Sequence, residues 1–217
     1  MSLEVTNNEI FLEIQELANT YALALREKVD ARTNEMLSDD NSHYLIYQVL
    51  GIATEEGQLI DLYQNKGRFL YKYAGAFLER ATKICFAKRF PGSGAVRIPN
   101  SLGSRPKTFE IDCLIEQRDA IEIKWKDATT DGDHITKEHT RLKVIADAGY
   151  KPIRIMFYYP HRQQAMKIQK TLETLYAGVG GEYHYGDDAW DYVKKYTDVS
   201  LKVILEKIAE ENLRKIR

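Results

Sequence analysis

The sequence lacks the features that mark several large classes of protein. Among its 217 residues there are two cysteines, Cys85 and Cys113, and both lie in apolar periodic stretches. A disulfide framework is therefore not expected, and a reducing compartment fits better. No apolar run approaches the ~20 residues of a membrane-spanning helix. The first residues, MSLEVTNNEIF, show no basic segment followed by an apolar one. We expect a cytoplasmic protein that is neither secreted nor attached to a membrane.

Common catalytic motifs are also missing. No Walker-type loop occurs, because GVGGE at 178–182 lacks the lysine and hydroxyl residue that hold phosphate. His134 and His139 are five positions apart, which does not match the spacing of a zinc-binding HExxH helix. No Ser-His-Asp or Cys-His arrangement follows from the residue order alone. The sequence also contains no internal repeat and no low-complexity segment.

The formal net charge is −1, so bulk charge does not predict a nucleic-acid-binding protein. The distribution of charge is uneven, however. No Asp or Glu occurs between positions 80 and 109, whereas the same segment carries seven cations: Arg80, Lys83, Lys88, Arg89, Arg97, Arg105 and Lys107. Such a segment is typical of a surface that contacts a phosphate backbone. A chance cluster on a solvated surface is the alternative, and charge alone does not decide between them.

Hydrophobic periodicity predicts a mixed succession of helices and strands. The helices are expected at about 7–29, 43–63, 68–90, 134–148, 161–178 and 199–217. Their boundaries are a polar break at 31–42, a turn at QNKG (64–67) and a C-cap at Gly149. The strands are expected at about 95–98, 109–116, 120–126 and 151–160, with loops at 127–133 and 179–188.

This order predicts an α/β fold of the layered α+β type, with a small central mixed sheet flanked by helices. We expect a single domain with three regions. A helical N-terminal region covers 1–65, the core covers 67–178, and a helical C-terminal extension covers 179–217.

The stretch FEIDCLIEQRDAIEIKWKD at 109–127 reads as two strands with one apolar and one polar face. A three-residue loop at 117–119 would place Asp112 opposite Lys124, Leu114 opposite Glu122 and Glu116 opposite Ala120. An even register of this kind keeps Asp112, Glu122 and Lys124 on the same face.

Two carboxylates and a lysine on one face point to two possible roles. Carboxylate oxygens are ligands that Mg²⁺ prefers, and a neighbouring ammonium group can hold a water molecule or balance the anions. The alternative is a solvated, salt-bridged face, because opposite charges often pair across strands. The preceding long helix, the basic loop and the following helix and apolar strand favour the first role.

The tripeptide EID, followed by nine residues and then EIK, resembles the signature of the PD-(D/E)xK nucleases. Asp112, Glu122 and Lys124 occupy the motif positions, whereas Ile111 stands where the motif has proline, which weakens its specificity. The predicted elements from about 67 to 178 are similar to the αβββαβ core of that superfamily. Within it, the chain looks most like a type II restriction endonuclease. The stretch ATEEGQLIDLYQNKGRFLYKYAGAFLERA is similar to the ApaLI-like family.

The resemblance implies that Asp112 and Glu122 bind Mg²⁺, with the backbone carbonyl of Ile123 as a third ligand. Mn²⁺ is expected to substitute, and Ca²⁺ to bind without supporting cleavage. Lys124 would orient or help deprotonate the water that attacks the phosphorus, leaving a 5′-phosphate and a 3′-hydroxyl. Members of the superfamily often add a glutamate from the preceding helix. Glu79 matches this position best; a helix-surface salt bridge is its equal alternative, and Glu55 and Glu56 are rivals for the role.

Double-stranded DNA is the implied partner, bound by a homodimer if the target is palindromic. A cognate DNA methyltransferase is expected in the same prokaryotic system, without a stable complex. The terminal helix stripe, Leu201, Ile204, Leu205 and Ile208, packs either at the dimer interface or on its own core. The candidate DNA contacts are Lys83, Lys88, Arg89, Arg97, Asn100, Ser101, Ser104, Arg105, Lys107, Lys126, Thr136, Lys137, Thr140 and Arg141.

Two other functions remain open on the sequence. A structure-selective repair or recombination nuclease would use the same core without a sequence requirement. A non-catalytic DNA-binding protein would bind DNA with strong salt dependence and show no metal-dependent turnover. The complete set of Asp112, Glu122 and Lys124 argues against the second of these.

Overall fold

A computed structural model describes residues 3–126 and 132–216; most of the loop predicted at 127–133 lies outside this range. The helices are α1 (Leu3–Leu37), α2 (Tyr44–Val49), α3 (Thr54–Arg89), α4 (Gly132–Asp147), α5 (Gln163–Gly178), α6 (Asp187–Thr197) and α7 (Leu201–Ile216). The strands are β1 (Gly94–Pro99), β2 (Thr108–Ile115), β3 (Asp119–Lys126), β4 (Lys151–Tyr158) and β5 (Glu182–Tyr185). The predicted layered α+β class is therefore confirmed.

The five strands form one open sheet in the order β1-β2-β3-β4-β5. Neighbours from β1 to β3 run antiparallel, whereas β3, β4 and β5 run parallel. Parallel neighbours need a crossover connection, which α4 supplies between β3 and β4 and α5 supplies between β4 and β5. From β1 to α5 the predicted order of elements is confirmed. The predicted break at 31–42 was partly wrong, because α1 continues to Leu37, and the predicted helix at 43–63 is interrupted between α2 and α3. The prediction of a loop at 179–188 was wrong, because β5 occupies 182–185 and α6 begins at Asp187.

The chain divides into two compact units. The first, called the sheet unit here, comprises residues 1–14 and 78–217. Its core contains side chains from the inner strands that are almost fully buried, among them Ile111, Ile121 and Ile155. On α7, Leu201 is 2% exposed and Ile208 is 5% exposed. Ile204 and Leu205 are half-buried, so the stripe packs in part on the chain's own core, as the core-packing alternative predicts.

The second unit, called the helical unit here, comprises residues 15–77. Tyr21 of α1 packs edge-on against Tyr73 and Phe77 of α3, with ring centroids 6.1 and 5.9 Å apart. The turn predicted at QNKG was wrong, because α3 continues through it. Asn65 Nδ2 donates a hydrogen bond to the Asp61 carbonyl at 2.9 Å, a contact that stays within the helix. None of the described helices combines the length and apolar character needed to cross a membrane.

The junction between α5 and β5 depends on Gly181. A Cβ atom at this position would lie 2.4 Å from the Pro152 carbonyl oxygen and 2.9 Å from Pro152 Cγ. We expect Gly181→Ala to lower the free energy of unfolding by about 1–3 kcal/mol, the range for overpacking, in urea titrations.

Gly178→Ala is the matched control, because nothing lies within 4 Å of a Cβ atom there. It should leave stability unchanged or raise it by up to about 1 kcal/mol, since alanine favours helix over glycine. Equal unfolding midpoints for the two variants would contradict the close approach of Gly181 to β4.

Candidate active site at the fork between β2 and β3

The hairpin between β2 and β3 has a different register from the predicted one. The observed partners are Cys113 with Ile121, Leu114 with Ala120 and Ile115 with Asp119, so the predicted pairs were wrong by two residues. The loop is 116–118, where Glu116 and Gln117 have φ of 50° and 53°. Because the error is an even number of residues, every side chain keeps its predicted face.

The strands part just beyond this ladder, at Asp112. The outer half of β2 pairs with β1, through Phe109 with Ile98 and Ile111 with Val96. Strand β3 instead continues along β4 as far as Lys126. In the resulting fork, the backbone N–H of Ile123 donates to Asp112 Oδ2 at 2.8 Å. A carboxylate thus satisfies a buried backbone donor that faces β2.

Glu122 lies in the fork between two cations. Its side chain is 9% exposed. Its Oε1 is 2.5 Å from Lys124 Nζ, and its Oε2 accepts a hydrogen bond from Arg141 Nη2. Burial alone would raise the pKa of Glu122, but the charges of Arg141, Lys124 and Arg154 outweigh it and lower the pKa to about 2. Glu122 is therefore ionised.

Asp112 has the opposite electrostatic balance. Burial, followed by the negative charge of Glu122, raises its pKa to about 7, although Lys124 and the Ile123 N–H act against this shift. Among the described residues, none donates a hydrogen bond to Asp112 Oδ1. A half-buried carboxylate beside a second carboxylate is stabilised by a cation. The two carboxylates therefore fit a divalent metal ion. They are not part of a larger cluster, since the described residues contain no group of three or more His, Cys, Asp and Glu side chains that could hold a metal.

Lys124 lies on the same face as the two carboxylates, as predicted. Burial would lower its pKa, but the charges of Glu122 and Asp112 more than compensate, so the pKa is raised and the ammonium group stays charged. The structure therefore brings Asp112, Glu122 and Lys124 together. Their predicted roles in catalysis remain predictions.

Glu79 of α3 forms an ion pair with Lys83 Nζ at 2.6 Å, one helical turn away. Its charge also contributes to the raised pKa of Asp112, as the weakest of the causes. Both of its predicted roles, metal ligand and helix-surface salt bridge, are compatible with this position. Its rivals Glu55 and Glu56 are exposed residues of the helical unit.

A buried network behind Glu122 was not predicted. Arg141 bridges Glu122, the Glu110 carbonyl at 3.2 Å and Glu138 Oε1 at 3.1 Å. The same Glu138 oxygen accepts hydrogen bonds from Arg154 Nη1 at 3.2 Å and the Tyr176 hydroxyl at 3.0 Å. The sequence held one signal for it, since a charged Arg154 interrupts the apolar strand KPIRIMFYYP.

Arg141 itself was predicted to contact DNA. Its residue exposure is 8%, and the described acceptors occupy its guanidinium group. A phosphate or base contact needs an accessible group. We therefore assign Arg141 to the support of Glu122 in place of DNA binding.

The loop between β1 and β2 carries predicted DNA contacts that are open to solvent. Ser101, Ser104, Arg105 and Lys107 are all exposed. Asn100 instead closes the loop, since its Nδ2 donates to the Pro106 carbonyl at 2.9 Å and its Oδ1 accepts from the Leu102 N–H at 3.1 Å.

The remaining candidate DNA contacts are spread over several elements. Arg97 is exposed and pairs with Glu110 across β1 and β2 at 3.0 Å. Two others form ion pairs: Lys88 lies 3.3 Å from Glu9, and Arg89 lies 3.9 Å from Asp198. Lys126 Nζ lies 5.1 Å from the Trp125 ring centroid. On α4, Thr136 and Lys137 are exposed, and the Thr140 hydroxyl donates to the Thr136 carbonyl at 3.1 Å.

The chain matches one family model over residues 5–210, nearly its whole length, and that family is described as ApaLI-like restriction endonuclease. The chain belongs to the ApaLI-like restriction endonuclease family. The predicted resemblance to this family is confirmed, and membership implies a nuclease that acts on DNA. No curated protein and no solved structure matches the chain.

The buried network predicts a large cost for removing its central carboxylate. Glu138→Ala would leave Arg141 and Arg154 buried without this shared acceptor, and breaking a buried ion pair typically costs about 3–5 kcal/mol. Urea unfolding should show this loss. The control is Glu210→Ala, which removes an exposed carboxylate 3.9 Å from Arg214 and should change stability by less than about 1 kcal/mol. Similar losses for both variants would contradict the network.

Proposed function

We propose that this protein is a type II restriction endonuclease that hydrolyses double-stranded DNA at a specific sequence, with Mg²⁺, leaving 5′-phosphate and 3′-hydroxyl ends. The observation that carries the proposal is the close juxtaposition of half-buried Asp112, buried Glu122 and half-buried Lys124 in the fork. Family membership and the PD-(D/E)xK-like spacing support the same chemistry.

Asp112 and Glu122 are the side chains that would hold Mg²⁺. The carbonyl of Ile123 is the third proposed ligand, because the N–H and C=O of one strand residue point to the same side and its N–H faces the fork. When bound, the cation lowers the pKa of water and neutralises charge that develops on the phosphate. We expect Mn²⁺ to substitute and Ca²⁺ to bind without supporting cleavage.

The chain's own groups supply positioning and charge. Asp112 is oriented by its bond to the Ile123 N–H, and Glu122 is kept ionised by Arg141 and Lys124. Lys124 Nζ can donate a hydrogen bond to the attacking water and offset negative charge in the transition state. Arg141 acts through Glu122, so it is a positioning residue.

The proposed DNA-binding surface includes the exposed loop between β1 and β2. Lysine and arginine side chains contribute affinity through phosphates, whereas contacts to base edges give specificity. The exposure of Arg97, Arg105 and Lys107 supports such contacts. We further propose a homodimer acting on a palindromic site, with a cognate methyltransferase in the same system.

Incubation of the protein with a long duplex DNA of known sequence, with and without Mg²⁺, tests the proposal. Discrete fragments that appear only with Mg²⁺ are expected, and mapping their ends gives the site and the overhang. A Mg²⁺-dependent smear, or cleavage of branched DNA alone, would move the function to a repair or recombination nuclease. DNA binding without any cleavage would contradict an active nuclease site.

Asp112→Asn should abolish cleavage while the fold is kept. The amide oxygen can still accept from the Ile123 N–H, but the charge that binds the cation is lost. Glu116→Gln is the matched control, since it removes an exposed carboxylate in the turn that follows the same strand. Gel assays of both variants on the same duplex provide the measurement. Retained cleavage by Asp112→Asn would rule out its assignment as a metal ligand.

Lys124→Ala should reduce the cleavage rate by about 10²-fold or more, the scale supplied by general acid–base groups. Lys126→Ala should mainly weaken DNA binding, because we assign this lysine to a phosphate contact. Single-turnover rates at saturating DNA separate the two effects. An unchanged rate for Lys124→Ala would transfer the role to Lys126 or to no lysine.

A further inference from the structure

Beyond the fork, β1 and the outer half of β2 form a two-stranded ribbon. The ladder between β2 and β3 ends at Cys113 and Ile121, whereas the ladder between β1 and β2 continues outward. The Asn100 N–H extends this ladder by donating to the Lys107 carbonyl at 3.0 Å. The major groove of B-DNA admits a two-stranded ribbon of this kind. The paired residues are Arg97 with Glu110, Ile98 with Phe109 and Pro99 with Thr108.

One face of the ribbon is covered and the other is open. On the covered face, Ile98 and Phe109 are buried in a cluster with Val144 and Ile145 of α4. Half-buried Asp112 continues the alternation of the open face along β2, so this face leads from the ribbon to the candidate site. The exposed side chains of the open face are Arg97, Pro99, Thr108 and Glu110.

Arg97 is held at one point of its guanidinium group. Its Nε donates a hydrogen bond to Glu110 Oε2 at 3.0 Å, and neither of its Nη groups bonds to any residue that the structure describes. Because arginine presents its donors in a rigid planar fork, fixing Nε also fixes the direction of both Nη groups. The Arg97 side chain is 73% exposed, so its Nη groups are open to an acceptor outside the chain.

The backbone of Glu110 is tied to the candidate site. Arg141 Nη2 donates to the Glu110 carbonyl at 3.2 Å and also to the Glu122 carboxylate. The residue that orients Arg97 is therefore fixed relative to the proposed metal ligands. Such second contacts are what hold a binding side chain in one direction.

Glu110 stands out in the charge pattern of the chain. It is the first carboxylate after the cationic segment at 80–109. A carboxylate on a DNA-binding surface repels phosphates, and an exposed ion pair contributes little to the stability of a fold. Orientation of Arg97 gives this carboxylate a role that is consistent with a surface for DNA.

We propose that Arg97, oriented by Glu110, reads a guanine of the target site in the major groove. Its two Nη groups donate to the O6 and N7 atoms of that guanine, which is the commonest base-specific contact. Glu110 acts through Arg97 and is a positioning residue. Duplex DNA is the partner given by the proposed function, on which this inference rests.

The position of the ribbon limits where the guanine lies. Glu110 precedes Asp112 by two residues, which is about 7 Å along a strand. Arg97 lies opposite Glu110 on the neighbouring strand, about 5 Å away. Because DNA rises about 3.4 Å per base pair, we expect the guanine within about four base pairs of the phosphate that is cut.

Selection of bound duplexes from a random pool, with Ca²⁺ in place of Mg²⁺, tests the assignment without requiring cleavage. The wild type should enrich a motif that contains a guanine, and Arg97→Ala should leave that one position unspecified. Arg105→Ala is the matched control, because it removes an exposed arginine of the same ribbon and should weaken binding without changing the motif. The same guanine in the Arg97→Ala motif, or no motif for the wild type, would overturn the proposal.

A change on the DNA side tests the same contact. 7-Deazaguanine lacks the N7 acceptor but keeps Watson–Crick pairing. At one guanine of the selected site it should weaken wild-type binding by about tenfold, the scale of a hydrogen bond to a charged group. Arg97→Gln, which keeps a long polar side chain if Arg97→Ala fails to fold, should show no such penalty. An equal penalty in Arg97→Gln and wild type, measured by fluorescence anisotropy, would overturn the contact.

The role of Glu110 is tested at the same guanine. Glu110→Ala should reduce the 7-deazaguanine penalty, because Arg97 loses its orientation. Glu110→Gln should restore it, since the amide oxygen can still accept from Arg97 Nε. A full penalty in Glu110→Ala would contradict the positioning role.

The binding test and the cleavage test fail separately. A protein that selects a guanine through Arg97 but never cuts DNA supports this inference and contradicts the proposed function. A protein that cuts a specific sequence, and whose motif is unchanged in Arg97→Ala, supports the function and overturns the inference.

Discussion

The candidate site depends on one departure from regular sheet structure, the parting of β2 and β3 at Asp112. The outer half of β2 continues along β1, and β3 continues along β4, whereas the pairing between β2 and β3 ends at Cys113 and Ile121. Buried backbone donors must still find acceptors. The Asp112 carboxylate meets this requirement for Ile123, and the same side chain is thereby fixed beside Glu122.

Charge balance in the fork then determines what the site can bind. Burying two carboxylates together is unfavourable unless cations accompany them. Lys124 and Arg141 are committed to Glu122, and Arg141 is in turn held by Glu138, whereas Asp112 retains a pKa raised to about 7. The remaining imbalance lies on Asp112, where a divalent cation would relieve it.

Local patterns predicted β1 to β4, the shared face of the three site residues and the family resemblance. They did not predict the register, because the left-handed conformations of Glu116 and Gln117 are unusual for residues other than glycine. They also missed β5, a four-residue strand between glycines, and the role of Arg141. Its partners come from distant positions, so only the assembled sheet and α4 bring them together.

Calcium binding to the DNA-free protein, measured by isothermal titration calorimetry, tests the central claim that the fork is a divalent-metal site. The wild type is predicted to bind Ca²⁺ saturably. Asp112→Asn should weaken this binding by at least about tenfold, a loss that even substitutions outside the ligand shell can cause. Absence of binding to the wild type, or equal affinity in Asp112→Asn, would contradict the account.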